Sequence, residues 1–186
     1  VSYANSRGMD VIVTDHHEMP EAQAPAYATL NPKQPDCPFP FKGLAGVGVA
    51  FNLVMALRKG LRERGAWANA EEPNLREYLD LVALGTIADI VPMVDENRIF
   101  VRNGLEELSR SERPGIKALK SVCGLEHEDV TVTTVAYRLA PRLNAAGRIA
   151  DAALAVQLLL CESLDEAVPL ASRIDQENTR RRQVEG

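Results

Sequence analysis

Residues 10–14 read DVIVT, and Asp15, His16 and His17 follow directly. A short, continuous run of β-branched apolar residues fits a strand buried on both faces, the pattern of parallel sheets. This commits the early part of the chain to an α/β arrangement. The carboxyl end of such a strand is where α/β proteins place their sites, and the Asp-His-His triplet stands at that end. On a strand, successive side chains face opposite ways. His16 and His17 therefore converge on one site only if the chain leaves the pleat at about Asp15. Neutral imidazole and carboxylate together suit Zn, Mn or Fe more than Ca. A second carboxylate in a similar setting is Asp89, in GTIADIVPM over residues 85–93. A charge among apolar neighbours costs several kcal/mol unless it is paired or bound to a metal. The plainer readings are a surface pair or helix-start cap for Asp15 with its histidines, and a cap or structural ion pair for Asp89. His127, among acids in LEHEDV, reads as a solvated surface residue.

The pattern elsewhere is mostly helical. Tyr27 to Asn31 is a second short strand candidate, and four prolines between Pro32 and Lys42 make a loop. Leu44 to about Arg64 repeats apolar residues at three and four, with Lys and Arg near its end. Its glycine-rich start, GLAGVG over residues 43–48, only loosely resembles a phosphate loop. Small residues that let the helix pack closely are the simpler account. Asn74 is an N-cap for a helix from Leu75 to about Leu84, which Gly85 then breaks. Further helices are expected over 97–110 and 115–122, and from Thr131 to a break at Pro141. Asp151 caps a short helix to Leu160, and a long polar helix closes the chain.

Composition excludes several function classes. With 186 residues, 46% of them hydrophobic, the chain suits one domain, or a large domain plus part of another. A net charge of -5 argues against non-specific coating of nucleic acid, though not against a local basic cleft. Cys37, Cys123 and Cys161 are far apart and form no CxxC pair, so neither a disulfide framework nor a structural zinc site is indicated. A reducing compartment is the simpler reading, and the cytoplasm is the expected location. No apolar run approaches the ~20 residues of a membrane span, and no signal-peptide pattern opens the chain. GxSxG is absent, so a serine-hydrolase elbow is unsupported. The first residues read as the tail of a helix and the last as the middle of another, which leads us to expect a fragment of a larger protein.

Four stretches in order, VIVTDHH, LNPKQPDCPFPFKGLAGVGVAF, LGTIADIVPM and APRLNAAGR, resemble the motifs of the DHH phosphoesterase superfamily, and within it the bacterial RecJ family of single-stranded-DNA exonucleases. The resemblance covers most of the chain. It implies the C-terminal part of a parallel-sheet DHH domain over residues 1–150, lacking its N-terminal strands and aspartate motifs. A helical segment over 151–186 would then begin a long connecting helix to a further domain. It also implies two divalent ions, Mn2+ or Mg2+, that activate water for in-line attack on a phosphodiester, and 5′-3′ digestion of single-stranded DNA in repair and recombination. By match to the motifs, His16 and Asp89 would be metal ligands. Asp15 would be a ligand or the acid that fixes His16, and His17 would contact the scissile phosphate. Arg148, Asn144 and Arg142 would bind substrate, Arg148 foremost, since guanidinium forks onto phosphate; the alternative for each arginine is a cap or an ion pair. Single-strand-binding protein and a helicase would be partners. Because the earlier aspartates are not in this sequence, the isolated chain is expected to have little nuclease activity. Two other readings stay open: a DHH enzyme acting on pyrophosphate, short oligonucleotides or cyclic dinucleotides, and a non-catalytic replication scaffold.

Overall fold

A computed structural model describes residues 1–149 and 152–185. After a short helix α1 (Ser2–Ser6), strands β1 (Ile12–Thr14) and β2 (Ala28–Leu30) pair in parallel, Ile12 beside Ala28 and Thr14 beside Leu30. Their crossover, residues 15–27, contains no helix. Among the described residues the strands end there, and the rest is helical: α2 (Gly46–Glu63), a 3-10 turn (Leu75–Tyr78), α3 (Leu79–Ala88), α4 (Asp95–Ser109), α5 (Pro114–Val122), α6 (Val132–Thr134), a π turn (Val135–Leu139), α7 (Ala140–Ile149), α8 (Ala152–Leu160) and α9 (Leu164–Glu185). This is the expected α/β chain with its strands early and its helices late.

One expectation changes at the first strand. β1 is not buried on both faces: Val13 is half-buried, while Ile12 is 55% exposed. Alternate side chains of a strand face opposite ways, α2 touches β1, and Ile12 on the other face stays exposed among the described residues.

Helix α3 is the spine that connects the sheet side to the helical side. Apart from Asp80 and Thr86 it is apolar on every face, as a helix buried all round is expected to be. Val82 joins a cluster with Leu44, Val49, Phe51, Leu75 and Phe100, where the rings of Phe51 and Phe100 meet edge-on at 5.5 Å. Leu84 and Ile87 join the larger core of α4, α5, α8 and α9, built on Leu108, Ile116, Leu119, Leu158 and Ile174. The predicted division at 150/151 falls on residues outside those described, and α8 and α9 contribute to the same core as α4 and α5.

Two predicted breaks are absent. Gly85 does not end a helix; α3 runs through it to Ala88, and a side chain at this position would meet Val47 Cγ1 at 2.9 Å. Glycine at this point lets α2 and α3 touch. Pro141 does not end one either. Its ring would clash with the carbonyl four residues back, and the π turn immediately before it widens the helix at that carbonyl, so α7 continues past the proline. Asn74 does cap: its side chain accepts the Arg76 N–H, opening the 3-10 turn that leads into α3. Asp151 lies outside the described residues.

The start of α3 is pinned by a buried ion pair. Asp80, 2% exposed, accepts from Arg113 Nε at 2.9 Å and from the Ser111 hydroxyl at 2.8 Å. Breaking such a pair strands a charge, so the segment carrying Asp89 at its far end is held firmly at its near end.

Candidate functional site

Strand β1 ends when the Asp15 N–H donates to the carbonyl of Leu30, and the chain then turns around its own side chain. Asp15 Oδ1 accepts from the His16 N–H at 2.8 Å, from the His17 N–H at 3.3 Å and from His17 Nδ1 at 2.7 Å. This is the aspartate turn that lets a short acid replace backbone partners. It takes the two histidines out of the strand's alternation: their ring centroids lie 4.4 Å apart. The same contacts act on the acid. The bond from His17 above all, with the two backbone N–H groups, holds the Asp15 carboxyl below the usual carboxylate range.

His16 faces inward, with 17% of its side chain exposed, and its Nε2 stands 3.4 Å from Asp89 Oδ2. Asp89 is the C-cap of α3, 38% exposed, so its carboxylate projects from the end of the buried spine. The turn after it is strained. Ile90 closes the helix at φ +57°, a left-handed position that a β-branched residue rarely takes, and is 90% exposed.

Two asparagines hold the surrounding loops, and sequence reasoning missed both. Asn31, 3% exposed, donates to the carbonyl of His17 at 2.9 Å and accepts the Lys33 N–H at 2.9 Å, tying the histidine turn to the end of β2. Asn97, fully buried, donates to the carbonyls of Gly43 at 2.7 Å and Pro92 at 3.0 Å, joining the loop before α2 to the loop after Asp89. The available signal was their position: Asn31 stands just before a proline at a strand end, and Asn97 occupies an inward position of a helix. Such placements oblige a polar side chain to find partners.

The remaining expected site residues divide. Asn144 is exposed on α7 and lines a groove with Ala88 and Ile90, the residues around Asp89. Arg142 is engaged elsewhere: its Nε donates to Asp175 Oδ1 at 2.7 Å and its Nη1 to the carbonyl of Arg138 at 2.7 Å, so its guanidinium ties α7 to α9 instead of standing ready for a phosphate. That is the ion-pair alternative, with Asp175 as the acid. Arg148 belongs to α7, and its side chain lies outside those described. His127 is exposed.

Chemically, the pair His16 Nε2 and Asp89 Oδ2 fits one cation, since donor atoms at bonds of about 2.1 Å can stand this close on one face. Asp15 has Oδ1 committed to three N–H groups. Among the described residues no group of three or more His, Cys, Asp or Glu side chains converges as a metal cage. Among the described residues the pair His16 and Asp89 thus offers donors toward an ion, and the backbone turn at Asp15 presents one of them.

Comparison with known proteins bears on the family and the fold. The family described as DHH family, N-terminal domain, matches residues 1–86. The single-stranded-DNA-specific exonuclease RecJ of Dickeya dadantii is 48% identical over all of this chain, which corresponds to 33% of that protein. A crystal structure of exonuclease RecJ bound to manganese superposes with a TM-score of 0.82 at 34% identity, covering 98% of this chain and 44% of that one. The structure of RecJ from Thermus thermophilus in complex with Mn2+ gives 0.79 at 36% identity, covering 97% and 26%. The chain spans about a third of the length of the curated relatives it matches. On its motifs, its family match and its fold, the chain belongs to the DHH family, as a RecJ-like member.

Proposed function

We propose that this chain forms part of the metal-dependent catalytic core of a nuclease that hydrolyses phosphodiester bonds in single-stranded DNA. The observation that carries the proposal is the approach of His16 Nε2 to Asp89 Oδ2, 3.4 Å between two segments far apart in sequence. A divalent ion of the Mn2+ or Mg2+ kind supplies Lewis acidity and an activated water when bound. The chain's own residues do the rest. His16 and Asp89 hold the ion from one side. Asp15 holds the backbone turn and the His17 ring, whose exposed face is free to meet a phosphate. Asn144, across the groove, offers an amide to the substrate, and Arg148 a guanidinium. The activity for which the relatives are named, single-stranded-DNA-specific exonuclease, and the ions in the similar structures support the choice of substrate and metal. In the whole protein a second ion, 5′-3′ polarity, a role in DNA repair and recombination, a cytoplasmic location and partnership with single-strand-binding protein and a helicase complete the reading. No helix among the described residues is long and apolar enough to cross a membrane.

Two donors bind an ion weakly, so this chain alone is expected to hold Mn2+ loosely and to cleave little. The test is Mn2+ titration followed by electron paramagnetic resonance on the chain, its His16→Ala variant and its Asp89→Ala variant. Each variant should weaken uptake at least tenfold. Equal uptake by all three would remove the metal reading. Turnover of pyrophosphate or a cyclic dinucleotide in preference to single-stranded oligonucleotides would move the chain to another DHH substrate.

A further inference from the structure

We propose that Gly46 is a positioning residue for His16: the bare Cα at the first residue of α2 leaves the space in which the imidazole lies with Nε2 toward Asp89. The inference rests on the metal reading above for its purpose and on packing for its evidence. A Cβ built on Gly46 would stand 3.3 Å from His16 Cδ2 and 3.8 Å from Nε2. Among the described glycines no other has His16 among its nearest neighbours; Gly43 faces the Phe41 ring and Gly48 faces Leu44 and Phe100. The glycines of the GLAGVG stretch have packing roles of their own. One of its glycines abuts the site and the others seat their own neighbours.

Packing matters here because little else orients the ring. A ligating histidine ordinarily donates its second ring nitrogen to a carboxylate or carbonyl, which fixes the plane. His17 has such a bond, from Nδ1 to Asp15. For His16 the described residues show no bond at Nδ1; the ring's polar contact is Nε2 to Asp89. The imidazole is held between the His17 ring at 4.4 Å between centroids, the start of α2 at Gly46 and the carboxylate of Asp89. A methyl group at position 46 makes the ring give by a few tenths of an ångström. Metal–ligand distances in real sites fall within about 0.2 Å of their ideal values. A displacement of this size therefore disturbs the ring's fit to an ion, although the fold absorbs it.

The experiment compares Gly46→Ala with Gly60→Ala, in the same helix but with nothing within 4 Å of the added methyl. Gly60→Ala changes glycine to alanine in the same helix without touching the site. The chain has three histidines, so the His16 ring signals are assignable by difference from His16→Gln. In the metal-free chain, Gly46→Ala should shift the His16 ring resonances, and Gly60→Ala should leave them in place. In Mn2+ titration, Gly46→Ala should weaken uptake about tenfold while Gly60→Ala matches the parent. Unmoved His16 signals in Gly46→Ala, or moved signals with undiminished Mn2+ uptake, overturn the proposal. A parent chain that takes up no Mn2+, with or without His16, sinks the metal reading instead, and the metal-free ring shift then decides for or against Gly46 by itself.

Discussion

Gly104→Ala tests the architecture that carries Asp89. Gly104 lies in α4 where it crosses α3, and a Cβ there would sit 2.2 Å from the carbonyl oxygen of Leu79 and 2.6 Å from the Ala83 Cβ. Both are rigid neighbours, one of them backbone, so no side-chain rotation relieves the clash. Restoring ordinary contact requires the two helices to separate by about 1 Å. Overpacking of this kind costs up to about 3 kcal/mol, against a gain of about 1 kcal/mol from replacing glycine by alanine in a helix. The net expectation is a loss of about 2 kcal/mol, or a fall in Tm of about 4–8 °C for a chain of this size. Chemical denaturation followed by circular dichroism at 222 nm measures it, with Gly60→Ala as the paired control. Gly60 is in a helix with open space around its missing side chain, so that variant should gain about 1 kcal/mol. A Gly104→Ala chain as stable as Gly60→Ala would mean that α3 and α4 do not cross in contact, and the support for Asp89 would have to be sought elsewhere.

Further outcomes follow from the same geometry. Ile90 bears a left-handed backbone penalty that asparagine largely avoids, so Ile90→Asn should stabilise the chain by about 1 kcal/mol in the same denaturation assay; a loss of stability would show that its exposed side chain packs on something. The Asp15 carboxyl is held below its ordinary range by His17 and by two backbone N–H groups. Its stabilising contribution is therefore fully present above the unfolded-state value of about 4 and is lost as pH falls through the lower folded-state value. The stability gap between the parent and Asp15→Asn should be constant near neutrality and close in acid, and a gap that persists unchanged at low pH would contradict the turn described here. Burial pushes the Cys123 thiol above its ordinary range, so native protein should leave Cys123 unlabelled by a thiol reagent until denaturant is added; rapid native labelling, located by mass spectrometry, would count against its place in the core.

Local chemistry made some of this protein readable from its letters. The apolar run before Asp15, the Asn74 cap, the proline-rich loop and the three-and-four spacing of α2 are short-range patterns, and the elements they specify form where expected. The turn at Asp15 was also legible, because an aspartate followed by two residues that cannot share a strand face implies a departure from the pleat. Gly85 and Pro141 were not legible. Each is a helix breaker by its own preference; the glycine sits in a buried helix where Val47 leaves no room for a side chain, and a π turn precedes the proline. Arg142 looked the same as an arginine for substrate; only the arrival of Asp175 from α9 decides that it is an internal tie.

The sequence by itself determined which groups are available: two histidines and an acid at a strand end, a second acid at the end of an apolar helix, and glycines at the start of another. Tertiary structure alone decided that His16 Nε2 meets Asp89 Oδ2 at 3.4 Å, that Asp15 turns to the backbone and His17, and that Gly46 leaves room for the ring. The reason is that propensity and capping act over a few residues, whereas a donor pair is created by where buried helices stop, and α3 stops where its packing against α2 and α4 places it.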